Sequence, residues 1–187
     1  MKIPIEISAR HIHLSQKDFE KLFGKSAELH PIKSLSQEGE FASKEVLEII
    51  NGKEKFNVRI IGPFRKSSQA EISLTDAIKL ELNPLPKVKV SGDLDGTIKV
   101  LIRNKNNSIK IPCIIAQRHL HCSEIEAKKL KLKNNQIVKI KILGKRGLIF
   151  DNVIVRVNPK FSLSVHLDTD EGNSAGITGK MFGELVK

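Results

Sequence analysis

The chain has 187 residues, of which 40% are apolar and 28% charged. That composition belongs to a folded globular protein, with room for one medium domain or two small ones, and it excludes wholesale disorder. No stretch approaches the ~18 apolar residues a membrane-crossing helix needs, and the opening MKIPIEISARHIH lacks the apolar run of a signal peptide. The formal charge is +11, carried by 25 Lys and only seven Arg. A scattered lysine surface is mostly solvation, and it also attracts anionic ligands. Nucleic acid is not expected as a partner, because single-strand sites interleave basic groups with stacking aromatics, and the chain has no Trp, no Tyr and eight Phe. Cys113 and Cys122 lack CxxC spacing, which fits a reducing compartment and announces no nucleophile.

In chain order, Ile3–Ile7 is a β-prone stretch that leads into Arg10-His-Ile-His-Leu-Ser15. Ser15-x-x-Asp18 resembles a capping box and opens a helix over Asp18–Phe23. Val46–Ile50 and Lys55–Ile61 flank Asn51-Gly52, a strong hairpin signal. Thr75–Leu80 is a short helix candidate ended by Asn83-Pro84. The stretch Pro84–Pro86 and the turn Ser91–Gly96 are the softest region between the halves. Thr97–Ile102 and Ser108–Ile115 flank the polar turn Arg103–Asn107. Then Arg118-His-Leu-His-Cys-Ser123 repeats the first motif 108 residues later, again after a β-prone stretch (Ile111–Ile115) and again before a capped helix, Ser123-x-x-Glu126 opening Glu124–Leu130. Val138–Leu143 and Leu148–Phe150 flank Gly144–Gly147, Val153–Val157 follows, and Leu163–Leu167 carries His166. Strand, Arg-His-x-His and capped helix thus occur twice, which points to internal duplication. Many short, closely spaced strands predict small barrels or a sandwich rather than a doubly wound sheet.

Five of the six histidines fall in three places: His11 with His13, His119 with His121, and His166. In an extended segment, residues two apart point to one side, so each HxH pair can offer two imidazoles to one ion. Two pairs and a fifth His can hold two metal ions, zinc being suited to such ligands. His30, before Pro31, is expected to be a loop residue. Cys122 alternates with His119 and His121 and is expected to pack in the core. Arg65 sits in a Gly-Pro-bounded turn. Its guanidinium can hold phosphate bidentately or form a surface ion pair. Glu71 can complete a metal site or be an exposed strand carboxylate. The acidic run after His166, through Asn173, can accept from imidazole N–H groups or form a solvated turn.

Five motifs, SARHIHLS at 8–15, FASKEVLEI at 41–49, VRIIGPFRKSSQAEIS at 58–73, QRHLHCS at 117–123 and HLDTDEGNSAG at 166–176, together resemble the PduL family of phosphate propanoyltransferases. The resemblance spans nearly the whole chain in the family's order. Departures are Phe64, Cys122, Gly172 and Ser174, of which Phe64 and Gly172 bear on acyl-chain preference. The resemblance implies a mainly β fold of two small barrels with short helical caps and a site between them. One barrel would combine residues 1–8 with 117–187, and the other would comprise 9–116. It implies two zinc ions, one held by His11, His13 and Glu71 and the other by His119, His121 and His166. Arg65 would bind phosphate, and Ser8, Arg59 and Asn173, with Lys33, would line the coenzyme A site. The implied reaction converts acyl-CoA (propanoyl or acetyl) and phosphate to acyl phosphate and CoA. A homodimer and an acyl kinase in the same pathway are further implied partners, and no membrane is. Several family members carry an N-terminal helical extension that targets a bacterial microcompartment. This sequence starts directly at its first strand, so a cytoplasmic enzyme is expected.

Two other readings fit the same histidines. A binuclear zinc hydrolase, such as an acyl-CoA thioesterase, would use water in place of phosphate and would have less use for Arg65. A non-enzymatic duplicated barrel module would carry structural zinc, but a structural site closes with four protein ligands and each cluster here offers about three.

Overall fold

The computed structural model describes residues 2–186. Among these, the chain divides into two compact units, residues 10–116 and residues 2–9 with 117–186, here termed the central and terminal barrels. The central barrel contains β2 (His11–His13), α1 (Gln16–Phe23), β3 (Pro31–Ser34), β4 (Phe41–Asn51), β5 (Glu54–Gly62), β6 (Gln69–Ile72), α2 (Leu74–Lys79), β7 (Val88–Lys89), β8 (Ile98–Asn104) and β9 (Asn107–Ala116). The terminal barrel contains β1 (Lys2–Ser8), β10 (His119–Cys122), α3 (Glu124–Leu130), β11 (Ile137–Ile142), β12 (Leu148–Val157), β13 (Ser164–Asp168), α4 (Thr169–Ser174) and β14 (Met181–Val186). The fold is mainly β, and among the described residues no helix is long and apolar enough to cross a membrane.

Each unit closes into a ring of six strands. In the terminal barrel the order is β1-β13-β10-β12-β11-β14 and back to β1. In the central barrel it is β9-β6-β2-β5-β4-β8 and back to β9, with β3 added beside β4 and β7 beside β9. Taken from β1 or from β9, both rings show the same pairings in turn: parallel, antiparallel, parallel, then antiparallel to closure. Strands β1 and β9 therefore occupy equivalent places. Each immediately precedes an HxH strand, and each belongs to the barrel that does not contain that HxH.

Side-chain alternation fills both interiors. In β11, Val138, Ile140 and Ile142 are buried while Lys139 and Lys141 face solvent. One core gathers Ile12, Leu47, Ile49, Ile60 and Ile102 under Phe19 and Leu22 of α1. The other gathers Ile3, Ile5, Leu120, Ile140, Val153 and Val165. The helices start where their caps dictate. The Ser15 hydroxyl accepts from the Asp18 N–H, and Ser123 with Glu126 forms a reciprocal capping box. Cys113 and Cys122 are fully buried in the two cores, so Cys122 packs as expected.

Three local expectations differ from the structure. The stretch 84–96 lies inside the central barrel, where Ser91 and Gly92 hydrogen-bond into β6 rather than separating two halves. Leu148–Val157 is one strand, with Asn152 at φ 54° and a register shift against β11 in place of a break. The acidic run after His166 is a helix. Asp168 accepts from the Glu171 N–H and Glu171 accepts from the Asp168 N–H, and this box outweighs the weak helix formers in TDEGNS.

Candidate active site

The two HxH strands present their histidines as the alternation requires: Ile12 and Leu120 point into the cores while the imidazoles gather on the other face. In the central barrel, β2 runs antiparallel to β6 with His11 in register with Glu71. In the terminal barrel, β10 runs antiparallel to β13 with His119 in register with His166. The third member of each cluster thus comes from the same place on the equivalent strand.

In the central cluster the three side chains are nearly fully buried. The Nε2 atoms of His11 and His13 are 3.2 Å apart, and each lies 3.8 Å from a Glu71 carboxylate oxygen. A tetrahedral zinc ion with bonds of about 2.0–2.1 Å has ligand edges of about 3.3 Å, so these residues fit such an ion with little movement. Burial, the neighbouring His11 and the Arg65 charge hold His13 well below the usual histidine range, which keeps its imidazole neutral as a ligand must be. Burial alone would raise the Glu71 carboxyl. His11 and His13, with Ser91 and Arg65, outweigh it and lower the group to about 2. Glu71 is therefore a buried carboxylate, not an exposed strand residue.

Arg65 stands at this cluster. Its Nη1 is 4.0 Å from Glu71 and donates to the Ser91 hydroxyl at 2.9 Å, while Nη2 donates to Glu40 at 3.1 Å. The Ser91 hydroxyl donates to Glu71 at 2.6 Å, and the Gln69 amide donates to Ser91 at 2.8 Å and also to Glu71. Of the two readings of Arg65, the structure shows the ion pair, with Glu40; the side chain also sits beside the candidate metal site with a third of its surface exposed.

In the terminal cluster the ligand nitrogens of His119, His121 and His166 lie within 4.8 Å of one another. The Gln117 carbonyl lies 2.8 Å from His119 Nδ1, orienting the ring, and the Ser164 hydroxyl is 2.8 Å from His166 Nε2. The Phe161 ring covers His121 at 4.1 Å. Two of the three imidazoles thus have a hydrogen-bonded ring nitrogen, and three imidazoles are a donor set suited to zinc. His30 stands apart from both clusters, paired with Glu45 on the surface.

The remaining expected residues are distributed as follows. Ser8 ends β1 in register with Asp168, and Asn173 is exposed on α4, whose Gly172 packs against Ile7. Lys33 is exposed on β3. Arg59 is the register partner of His11 on β5 and donates to the Ser43 carbonyl at 2.6 Å. Sequence reasoning missed Ser91, Gln69 and Glu40, which brace Glu71 and Arg65. It also missed Asp76, which pairs with Arg10, and read Glu171 only as part of the acidic run, not as the partner of Arg118. The signal for these two acids was present: Asp76 follows Glu71 by five residues, as Glu171 follows His166.

Burial, helped by the Glu71 charge, pushes the Cys113 thiol up to about 12, and burial with Glu126 pushes Cys122 up to about 11. Neither is a thiolate nucleophile at neutral pH.

Two closed barrels each carry a three-membered histidine-rich cluster of a kind that could hold a metal ion, one of them beside a guanidinium. A sequence profile of the phosphate propanoyltransferases matches residues 4–178. The chain is 44% identical over 188 residues to the phosphate propanoyltransferase of Thermotoga maritima, spanning 98% of this chain and 87% of that one. It is 42% identical over 186 residues to that of Leptotrichia buccalis and 40% to that of Enterococcus faecalis, with the same coverage. The chain belongs to the phosphate propanoyltransferase family and is an acyltransferase enzyme.

Proposed function

We propose that this enzyme converts a short-chain acyl-CoA, propanoyl or acetyl, and inorganic phosphate to acyl phosphate and CoA by direct attack of phosphate on the thioester. A phosphate oxygen forms the new C–O bond, the C–S bond breaks, and the sulfur leaves as the CoA thiolate. Two zinc ions, held by His11, His13 and Glu71 and by His119, His121 and His166, would supply Lewis-acid polarisation of the carbonyl and stabilisation of the soft thiolate.

Arg65 holds the nucleophile. A guanidinium has five N–H donors, and Glu40 and Ser91 fix its plane while leaving others for an anion. Those partners hold the fork in place before phosphate arrives, so alignment costs little at the moment of attack. Ser8, Arg59, Asn173 and Lys33 are assigned to the CoA moiety, where the two basic groups suit its phosphates. The raised thiols of both cysteines favour direct transfer over a covalent acyl-enzyme. The acyl phosphate product is a mixed anhydride, suited to an acyl kinase as the next enzyme.

The observation that carries this reading is Arg65, braced on two sides and 4.0 Å from the buried carboxylate of the central cluster. The test is CoA release from acetyl-, propanoyl- and butanoyl-CoA with and without phosphate. Release should require phosphate and yield acyl phosphate. Equal release without phosphate would establish a thioesterase instead.

A further inference from the structure

Each HxH is preceded by an arginine, and in both barrels that arginine makes the same two contacts. Arg10 Nε donates to Asp76 at 3.0 Å, and its guanidinium lies over the Phe56 ring at 4.6 Å. Arg118 Nε lies 2.6 Å from Glu171, and its guanidinium lies over Phe150 at 5.3 Å. The two contacts reach opposite ways. Phe56 and Phe150 stand on β5 and β12, the parallel neighbours of the HxH strands. Asp76 and Glu171 are third residues of α2 and α4, the helices that follow β6 and β13. Those last strands deliver the third ligand, Glu71 or His166, five residues before the acid.

We infer that Arg10 and Arg118 are positioning residues for the two metal clusters. Each straddles three strands and fixes the third ligand against its HxH pair. This rests on the reading that the clusters hold metal. The need for such a staple follows from geometry. The HxH pair is rigid within one strand, but the third ligand comes from a neighbouring strand whose slip or splay would open the cluster. β2 is only three residues long, so its own ladder gives few bonds against that motion. The Asp76 carboxylate is buried, which strengthens its pair with Arg10 over an exposed one. That two copies keep this contact with different acids, Asp in one and Glu in the other, ties it to the position rather than to one residue type.

The test measures zinc affinity by competition with a chromophoric chelator, one cluster at a time. A His119→Ala/His121→Ala background leaves the central cluster, and a His11→Ala/His13→Ala background leaves the terminal one. Arg10→Met should weaken zinc binding about tenfold or more in the first background, the scale of losses on removing a group that orients ligands, and change it less than twofold in the second. Arg118→Met should show the reverse. Arg10→Lys should recover part of the loss, since it keeps the charge without the planar fork over Phe56. If Arg10→Met does not fold, Asp76→Asn cuts the same pair from its other end and should give the same selective loss. Arg103→Met, which breaks the surface pair with Glu48, is the control for lost stability alone. Unchanged affinities in both backgrounds, with melting lowered as in Arg103→Met, would overturn the inference. Zinc binding by neither background, before any arginine is changed, would instead overturn the metal reading on which it rests.

Discussion

The central and terminal barrels share ring order, pairing directions, ligand register and the arginine ahead of each HxH, yet their clusters differ in charge. With neutral imidazoles, Glu71 gives the central cluster a negative charge that His166 does not give the terminal one. The central cluster is braced by polar groups, Ser91 and Gln69 on the carboxylate and Arg65 beside it. The terminal one has an aromatic ring, Phe161, against His121. The scaffold kept two copies of one frame while the third ligand and its surroundings diverged. On the proposed reading, a carboxylate and a guanidinium would suit a subsite for an anionic nucleophile, since a bound metal would offset Glu71 and leave Arg65 for phosphate. A neutral, partly aromatic cluster suits a soft leaving group.

Removing either histidine pair tests whether both copies are needed. His11→Ala/His13→Ala and His119→Ala/His121→Ala should each lose several kcal/mol of transition-state stabilisation, on the order of a thousandfold in turnover or more, with circular dichroism unchanged. Retained activity in one would show that a single cluster suffices.

Arg65→Lys sharpens the contrast between the cluster beside the guanidinium and the other. The ammonium keeps the charge but not the alignment, and misplacement by about 1 Å costs on the order of a hundredfold. Steady-state kinetics should show kcat falling on that scale, a raised KM for phosphate and a nearly unchanged KM for acyl-CoA. A raised KM for acyl-CoA alone would move Arg65 to the coenzyme site.

The barrels also differ in packing at equivalent positions. Gly183 of β14 corresponds to Val100 of β8 by ring position and register. A Cβ at Gly183 would meet Ile140 at 2.6 Å and Ile5 at 2.9 Å. Gly183→Val should therefore destabilise the protein by about 1–3 kcal/mol through overpacking, read by thermal melting. An unchanged melting temperature would mean that the terminal core has room the isoleucines conceal.

The smallest effect is expected at His30, the histidine that neither barrel uses. His30→Ala removes an exposed pair with Glu45 worth under about 1 kcal/mol and should leave turnover unchanged. Loss comparable to that in His11→Ala would place a third functional histidine in the central barrel.

Much of this was legible because local chemistry decided it. Two Arg-His-x-His copies, the caps at Ser15 and Ser123, and the Asn51-Gly52 hairpin each depend on residues close in sequence. What was not legible depends on partners far away. From its own neighbours in sequence Glu71 reads equally as a metal-site or an exposed carboxylate, until Gln69 and Ser91 close around it. Ser91, in a stretch of Gly and Asp, looks like loose turn sequence because its partners are 20 and more residues distant. The helix after His166 is hidden by Gly172, Asn173 and Ser174, poor helix formers. It forms because Asp168 and Glu171 cap it and Gly172 lets Ile7 approach. That residues 1–8 join the C-terminal part was legible only through the family resemblance, since no local pattern states that β1 pairs with β13 and β14.

That pairing has a consequence for biosynthesis. The central barrel can close once β9 has been made, since all its strands lie in one stretch of chain. β1, translated before the central barrel, must wait for β13 and β14, more than 150 residues later. At ~5–20 residues per second the delay is on the order of ten seconds or more. During it, a segment with Ile3, Ile5 and Ile7 on alternate positions has no sheet of its own. Pro4, which lacks an N–H, and Glu6, which carries a charge, are the residue types that discourage such a strand from pairing with another nascent chain.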